Sequence, residues 1–235
     1  MTSVLMVLSA ADQWTLRDGS SHPTGVWAEE LVEPHRQFTA AGFEITLATP
    51  GAVPPTFDAG SLTAAAAAGS DERVAEITDY LDSIAPALAS PVALDSLAAA
   101  DFDVVFYPGG HGPMQDLAVD AQSGRILAEA LATGNPLAVL CHAPAAMLAA
   151  TGADGAWPFA GYRMTGFSNA EERLGGLAEK APWLVEDRLV ELGADFSAGA
   201  AFRPHTVVDR NLFTGQNPAS SAELATAVIA AVSGK

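Results

Sequence analysis

At 235 residues, with 49% hydrophobic and 17% charged side chains, the chain has ample material for a buried core, in one large α/β domain or two small ones. The formal net charge of −17 repels nucleic acid and anionic membrane surfaces, and no basic patch offsets it. No uncharged apolar run reaches the roughly 18 residues of a membrane span, and a single cysteine excludes an internal disulfide and suits a reducing cytoplasm.

The chain opens on an apolar run, Val4 to Ser9, that reads as a first buried strand; with no basic region before it, it does not resemble a signal peptide. Glu33 to Ala41 is a helical stretch with Pro34 tolerated in its first turn and Gly42 as its stop. Glu44 to Ala48 alternates as a strand should. Residues 51–100 then interrupt the rhythm with Pro54-Pro55, the run Ala64 to Ala68 and acidic helical segments. This part reads as a helical, partly loop-like layer inserted into one domain spanning 1–235, with the alanine run as a helix because alanine is the best helix former.

Asp103 to Tyr107 is a second apolar strand, halted by Pro108-Gly109-Gly110, and Ala121 to Thr133 is helical up to Gly134-Asn135-Pro136. A strand from Leu137 to Leu140 leads to Cys141, and Ala145 to Ala150 reads as a helix. Beyond it come a short edge strand within Gly161 to Gly166 and an amphipathic helix from Trp183 to Leu192. A hairpin, Thr206 to Val208 with Leu212 to Thr214, precedes a final helix from Pro218 with Asn217 as its N-cap. The βαβ alternation predicts an α/β fold: a three-layer α/β/α sandwich, flavodoxin-like, with a mostly parallel central sheet. In such sheets ligands sit beyond the carboxyl ends of the strands, where Gly109, Gly110 and Cys141 all fall.

Strand, sharp turn and helix with a cysteine at the turn is the pattern of a nucleophile elbow. It predicts a thiol pushed toward solvent and favoured as thiolate by the positive end of a helix dipole. The bland alternative is a buried structural cysteine. Glu29-Glu30 and Glu171-Glu172 could equally be solvated acids at helix starts. His111 lies in a glycine-rich turn and either lines a pocket or faces solvent. His22, His35 and His205 show no metal-ligand spacing, so no metal is expected. No glycine-rich nucleotide motif occurs, and Trp14, Trp27 and Trp157 read as packing residues, with Trp27 also able to wall a pocket.

Five segments together resemble one family: TGVWAEELVEP (Thr24 to Pro34), YPGGHGPM (Tyr107 to Met114), LCHAPAAM (Leu140 to Met147), TGFSNAEE (Thr165 to Glu172) and TGQNPASS (Thr214 to Ser221). In order and spacing they are similar to the ThiJ/PfpI superfamily, which shares the class I glutamine amidotransferase-like fold and includes the parkinsonism-associated deglycase. Within it the chain is most similar to the heat-inducible chaperone and glyoxalase III branch.

The resemblance implies Cys141 as nucleophile, Glu30 as the glutamate beside its sulfur, His142 as its histidine and Glu172 as the acid that orients His142. Glu29 and Glu171 stand one residue away as alternatives. Gly109, Gly110 and His111 are implied as oxyanion or substrate-binding residues, with backbone N–H groups of Gly110 and His142 facing the oxyanion. The implied activity is conversion of methylglyoxal or a related 2-oxoaldehyde to a 2-hydroxy acid such as lactate, with no cofactor, in a cytoplasmic homodimer. Other roles fit the same family: a stress chaperone or deglycase acting on unfolded or glycated proteins, an amidase or peptidase, or a redox sensor. A glutaminase reading would need a late histidine followed two residues on by glutamate, but after His205 position 207 is Val. A carboxyl next to sulfur is expected to have a raised pKa, and when protonated it can donate a hydrogen bond to the thiolate.

Overall fold

A computed structural model describes residues 1–234. In chain order its elements are β1 (Ser3–Val7), β2 (Gln13–Thr15), β3 (Ser21–Pro23), α1 (Ala28–Ala40), β4 (Glu44–Thr49), α2 (Asp71–Ser83), α3 (Ala85–Leu88) and β5 (Val92–Ala93). Then follow β6 (Val104–Tyr107), α4 (Gly112–Gln115), α5 (Ala121–Thr133), β7 (Leu137–Leu140), β8 (Arg163–Met164) and α6 (Asn169–Leu174). The last are α7 (Val185–Glu191), β9 (Asp195–Phe196), β10 (Thr206–Asp209), β11 (Leu212–Gly215) and α8 (Ser221–Ser233).

The central sheet runs β10-β11-β7-β6-β1-β4-β5, and all neighbours are parallel except β10 against β11. Strands β6 and β7, and β1 after Ser3, are apolar at every position because both faces are covered, which is why their sequences run without alternation. Val4, Met6, Val104, Phe106 and Leu140 face α1, α2 and α8 through Leu31, Phe38, Ile77, Leu224 and Val228. Leu5, Val7, Val105, Tyr107 and Val139 face α5, α7 and the 3-10 segment Ala143–Ala149 through Ile126, Leu127, Met147 and Leu189. Each fully buried side chain of this size contributes about 1.5–3 kcal/mol. Phe38 meets Phe106 edge to face, with ring centroids 5.6 Å apart, which adds roughly 0.5–1.5 kcal/mol.

Local signals explain most of the element ends. Asp120 caps α5 by accepting from the Ser123 N–H at 2.7 Å, and Gly134 closes it in the left-handed conformation, φ 76°. Ser70 caps α2 through the Arg73 N–H. Ser168 and Glu171 form a reciprocal capping box at the start of α6.

Five expectations need correction. Helix α1 begins at Ala28, so Pro34 lies in its interior, where it removes the hydrogen bond that would end on the Glu30 carbonyl. The extension forms because Val26, Ala28, Leu31 and Val32 all bury against the sheet, and that burial outweighs one lost bond. The run Ala64 to Ala68 is a chain of turns, not a helix. Five residues cannot offset helix nucleation, and Ala68 and Gly69, with φ of 54° and 88°, end it in the left-handed region. Within residues 51–100, Val92–Ala93 pairs with β4 as an edge strand, so the segment feeds the sheet as well as covering it.

The stretch after Cys141 is a 3-10 helix over Ala143–Ala149 in place of an α-helix from Ala145. Asn217 does not cap α8; its Nδ2 donates to Glu171 Oε1 and to the Arg203 carbonyl, each at 2.8 Å. The two short sheets β2-β3 and β8-β9 complete the fold, the second formed by the expected edge strand near Gly161. Among the described residues no helix is long and apolar enough to cross a membrane.

Candidate active site

Three strand ends build the site. Strand β7 runs into Cys141, whose φ of 60° is left-handed, a conformation that costs a non-glycine residue roughly 1–3 kcal/mol. Hydrogen bonds fix the turn from both sides: the Cys141 N–H donates to the Gly215 carbonyl at 2.8 Å and the Phe167 N–H to the Cys141 carbonyl at 2.7 Å. The loop after β6 brings Gly109 and Gly110. A Cβ on Gly109 would come within 2.5 Å of the Leu140 carbonyl oxygen and 2.8 Å of Glu30 Oε2, and one on Gly110 within 2.3 Å of the Gly25 carbonyl oxygen. Only glycine allows the loop to pass between the elbow and the start of α1.

That passage explains how Glu30 reaches the sulfur from more than a hundred positions upstream. The Trp27 N–H donates to the Gly109 carbonyl at 3.0 Å, and in return the Gly109 N–H donates to Glu30 Oε2 at 2.7 Å. Helix α1 is thereby set with its first turn against the elbow. Glu30 is fully buried, and burial pushes its carboxyl up to about 8, so it is protonated at pH 7. Its Oε1 has no well-aligned hydrogen-bond partner, although the carboxyl lies near enough to the Cys141 thiol for each to shift the other's titration.

His142 Nδ1 lies 3.3 Å from Cys141 Sγ and His142 Nε2 lies 2.8 Å from Glu172 Oε2. His111 Nε2 meets the other oxygen of Glu172 at 3.1 Å. Burial disfavours charge on Glu172, but the two imidazoles outweigh it and hold the carboxyl well below the usual carboxylate range. Burial drops His142 to about 4, so it is neutral at pH 7. An ionised carboxylate only accepts. Both facing Nε2 atoms must therefore carry protons, which leaves the Nδ1 lone pair of His142 turned toward the thiol.

The expected exposed thiolate is not what the structure holds. Cys141 is only 3% exposed, and burial first, then the Glu30 carboxyl, pushes its thiol up; the Gly110 N–H acts the other way. A 3-10 segment supplies less dipole than the expected α-helix, and desolvation wins. The resting group is a thiol. It still lines a cavity of about 670 Å³ whose walls include Trp27, Ala65 to Ala68, Phe167 and Phe202.

The one-residue alternatives separate by their neighbours. Glu29 lines the same cavity but pairs with Arg73 at 3.3 Å. Glu171 is a structural hub: its oxygens accept from Ser168, Gln216, Asn217 and the Phe202 N–H. His111 joins the site, its ring 3.9 Å from that of His142 and stacked on Trp14 at 4.9 Å. His205 bonds Ser197 and lies outside the cavity wall, and His35 bonds Tyr80. Among the described residues, His111, His142 and Glu172 are the one group whose ligand atoms approach closely enough, within 4.8 Å, to hold a metal ion. Their Nε2 atoms and the two Glu172 oxygens are hydrogen-bonded to one another. Sequence reasoning missed Arg73, Phe202 and the alanine wall as cavity residues, because nothing local to residues 64–73 or 202 points to Cys141.

Residues 23–231 match the DJ-1/PfpI family. The chain belongs to that family. It is 32% identical to the protein/nucleic acid deglycase HchA of Pseudomonas aeruginosa strain UCBPP-PA14, over 94% of this chain and 77% of that protein. It is 38% identical to the human glutamine amidotransferase-like class 1 domain-containing protein 1, but that match spans only 57% of this chain and 61% of the human protein. The crystal structure of glyoxalase III from Candida albicans superimposes with a TM-score of 0.81 at 25% identity, covering 98% of this chain and 97% of that one. Enzymes are thus among the relatives, and the parallel sheet flanked by helices is the family's flavodoxin-like fold.

Proposed function

We propose that this protein is a glutathione-independent glyoxalase that converts 2-oxoaldehydes such as methylglyoxal to 2-hydroxy acids, with no cofactor. The observation that carries the reading is a thiol held between a protonated carboxyl, Glu30, and an imidazole lone pair, His142 Nδ1, at the wall of a cavity. The likeness to the Candida albicans glyoxalase III over nearly the whole chain supports it.

The chemistry is an internal redox reaction in which the aldehyde carbon is oxidised and the ketone carbon reduced. The Cys141 sulfur adds to the aldehyde carbon while its proton passes to His142 Nδ1. Glu30 gives its proton to the aldehyde oxygen, forming a hemithioacetal and leaving Glu30 ionised. Glu30 then removes the carbon-bound proton, and the imidazolium of His142, stabilised by Glu172, protonates the ketone oxygen to give an enediol.

Return of the Glu30 proton to the neighbouring carbon, with loss of the adjacent hydroxyl proton to His142, leaves a 2-hydroxy thioester. Water adds to this thioester, giving one proton to Glu30, and the sulfur leaves with the proton of His142. The product is the 2-hydroxy acid, and the thiol, the carboxylic acid and the neutral imidazole are restored. The N–H groups of Gly110 and His142 are the donors proposed for the oxygen anions formed along this path.

The test is lactate formation from methylglyoxal without glutathione. Cys141→Ala is expected to lose at least about a thousandfold in kcat, and a variant that retains turnover defeats the mechanism. Deglycation, the activity in the name of the HchA relative, would begin at the same sulfur. Release of free amine from a methylglyoxal adduct faster than the adduct's spontaneous decay would favour that reading.

A further inference from the structure

The cavity over Cys141 is much larger than methylglyoxal requires. Sites of about 300–1,000 Å³ bury drug-sized ligands, and this one, at about 670 Å³, lies well inside that range. The substituent of methylglyoxal beyond its two carbonyl carbons is a single methyl group, which leaves most of the space unused. The walls away from the sulfur are apolar: Trp27, Phe167, Phe202, Pro218 and the run Ala65 to Ala68. Phe167 and Phe202 stand edge to face, 6.1 Å between centroids, and each alanine presents no more than a methyl group.

The charges at the cavity do not select a charged substrate. Arg73 is the cation at its wall, and its guanidinium is committed to Glu29 at 3.3 Å, Glu33 at 2.8 Å and Glu76 at 3.2 Å. Asn217 spends its amide on Glu171 and Arg203. On the sulfur side the Nε2 atoms of His142 and His111 are paired with the two oxygens of Glu172. The net charge of −17 further repels anionic substrates.

We propose that the preferred substrates are 2-oxoaldehydes carrying a bulky, uncharged apolar substituent, above all an aromatic ring, and that the turns from Ala65 to Ala68 set the size limit. This rests on the glyoxalase reading above and adds the substrate class. The ring would lie against Phe167, Phe202 and the alanine wall while the aldehyde carbon meets Cys141. Binding energy from that remote contact is available to raise kcat/KM. The alanine wall is held over the cavity by α2, because Arg73 near its start reaches across to Glu29 and Glu33 of α1.

The experiment compares kcat/KM for phenylglyoxal and methylglyoxal, read as mandelate and lactate, in the wild type and in Ala66→Trp. The wild-type ratio is expected to exceed about ten, the discrimination that burial of an extra apolar group supplies. Ala66→Trp, which fills the cavity, is expected to lower that ratio by at least about tenfold. Because both constants come from one preparation, the ratio does not depend on how much of the variant folds. A wild-type ratio of one or less, or a ratio that Ala66→Trp leaves in place, overturns the proposal while the glyoxalase reading stands. Turnover of neither aldehyde by protein with a titratable Cys141 thiol overturns both.

Discussion

Glu30 and Glu172 are two buried carboxyls of one site, Glu30 beside the sulfur and Glu172 bonded to His142 and His111, and their environments drive them to opposite charge states. Glu30 has one backbone donor and otherwise faces a thiol, so desolvation prevails and the carboxyl stays protonated up to about pH 8. Glu172 is almost as buried, yet two imidazole N–H groups converge on it and keep it ionised. Burial alone therefore does not decide protonation; the groups facing the carboxyl do, here the imidazoles of His142 and His111 through charge and hydrogen bonds. A site that must both give a proton and hold an imidazole in one tautomer needs one carboxyl of each kind.

The contrast can be broken from either side. Glu30→Gln keeps the shape and the bond from the Gly109 N–H but has no proton to shuttle, and kcat is expected to fall by about a thousandfold; near-wild-type kcat would remove Glu30 from the chemistry. Glu172→Gln leaves only one carbonyl oxygen where two imidazoles need an acceptor. Its expected cost is about a hundredfold in kcat, with His142 free to take the wrong tautomer. Nitrogen chemical shifts of His142 would report that change directly.

The pH profile sharpens the same comparison. His142 must be neutral to take the thiol proton, so activity requires a pH above about 4; Glu30 must be protonated at rest, so activity requires a pH below about 8. The expected kcat/KM profile is a plateau between those limits, falling about tenfold per unit on the alkaline side. A profile still rising at pH 9 would contradict a protonated Glu30.

Stability gives a smaller, separate reading. Because the folded-state value for Glu30, about 8, lies above the ordinary 4.5, the buried carboxyl costs nothing below pH 4.5. It destabilises the fold progressively as pH rises through 8. Glu30→Gln removes that penalty and is expected to be more stable than wild type by about 3 kcal/mol near pH 7, with the gap closing toward pH 4.5. Chemical denaturation at three pH values would measure it. The smallest effect is expected at the neighbouring acid: Glu29, part exposed and paired with Arg73, should lose less than about 1 kcal/mol of stability on change to Gln.

Much of this molecule is legible in its sequence. The apolar strands, the stop at Gly134 and the turn at Cys141 are all local signals, and they specify a parallel sheet covered on two faces. Two departures from the local pattern have different causes, tertiary burial in one and chain length in the other. Helix α1 runs through Pro34 because its apolar residues before the proline are buried, and the alanine run stays in turns because it is short and closes through Gly69.

The sequence by itself determined the main alternation of strands and helices and the turn after the strand that ends at Cys141, because these depend on residues within a turn or two of each other. Tertiary structure alone decided that Glu29 pairs with Arg73 and Glu171 with Asn217 and Gln216, that the thiol rests protonated, and that distant turns wall a large apolar cavity. Those properties follow from desolvation and from donors brought in across dozens of residues, and no local pattern encodes either.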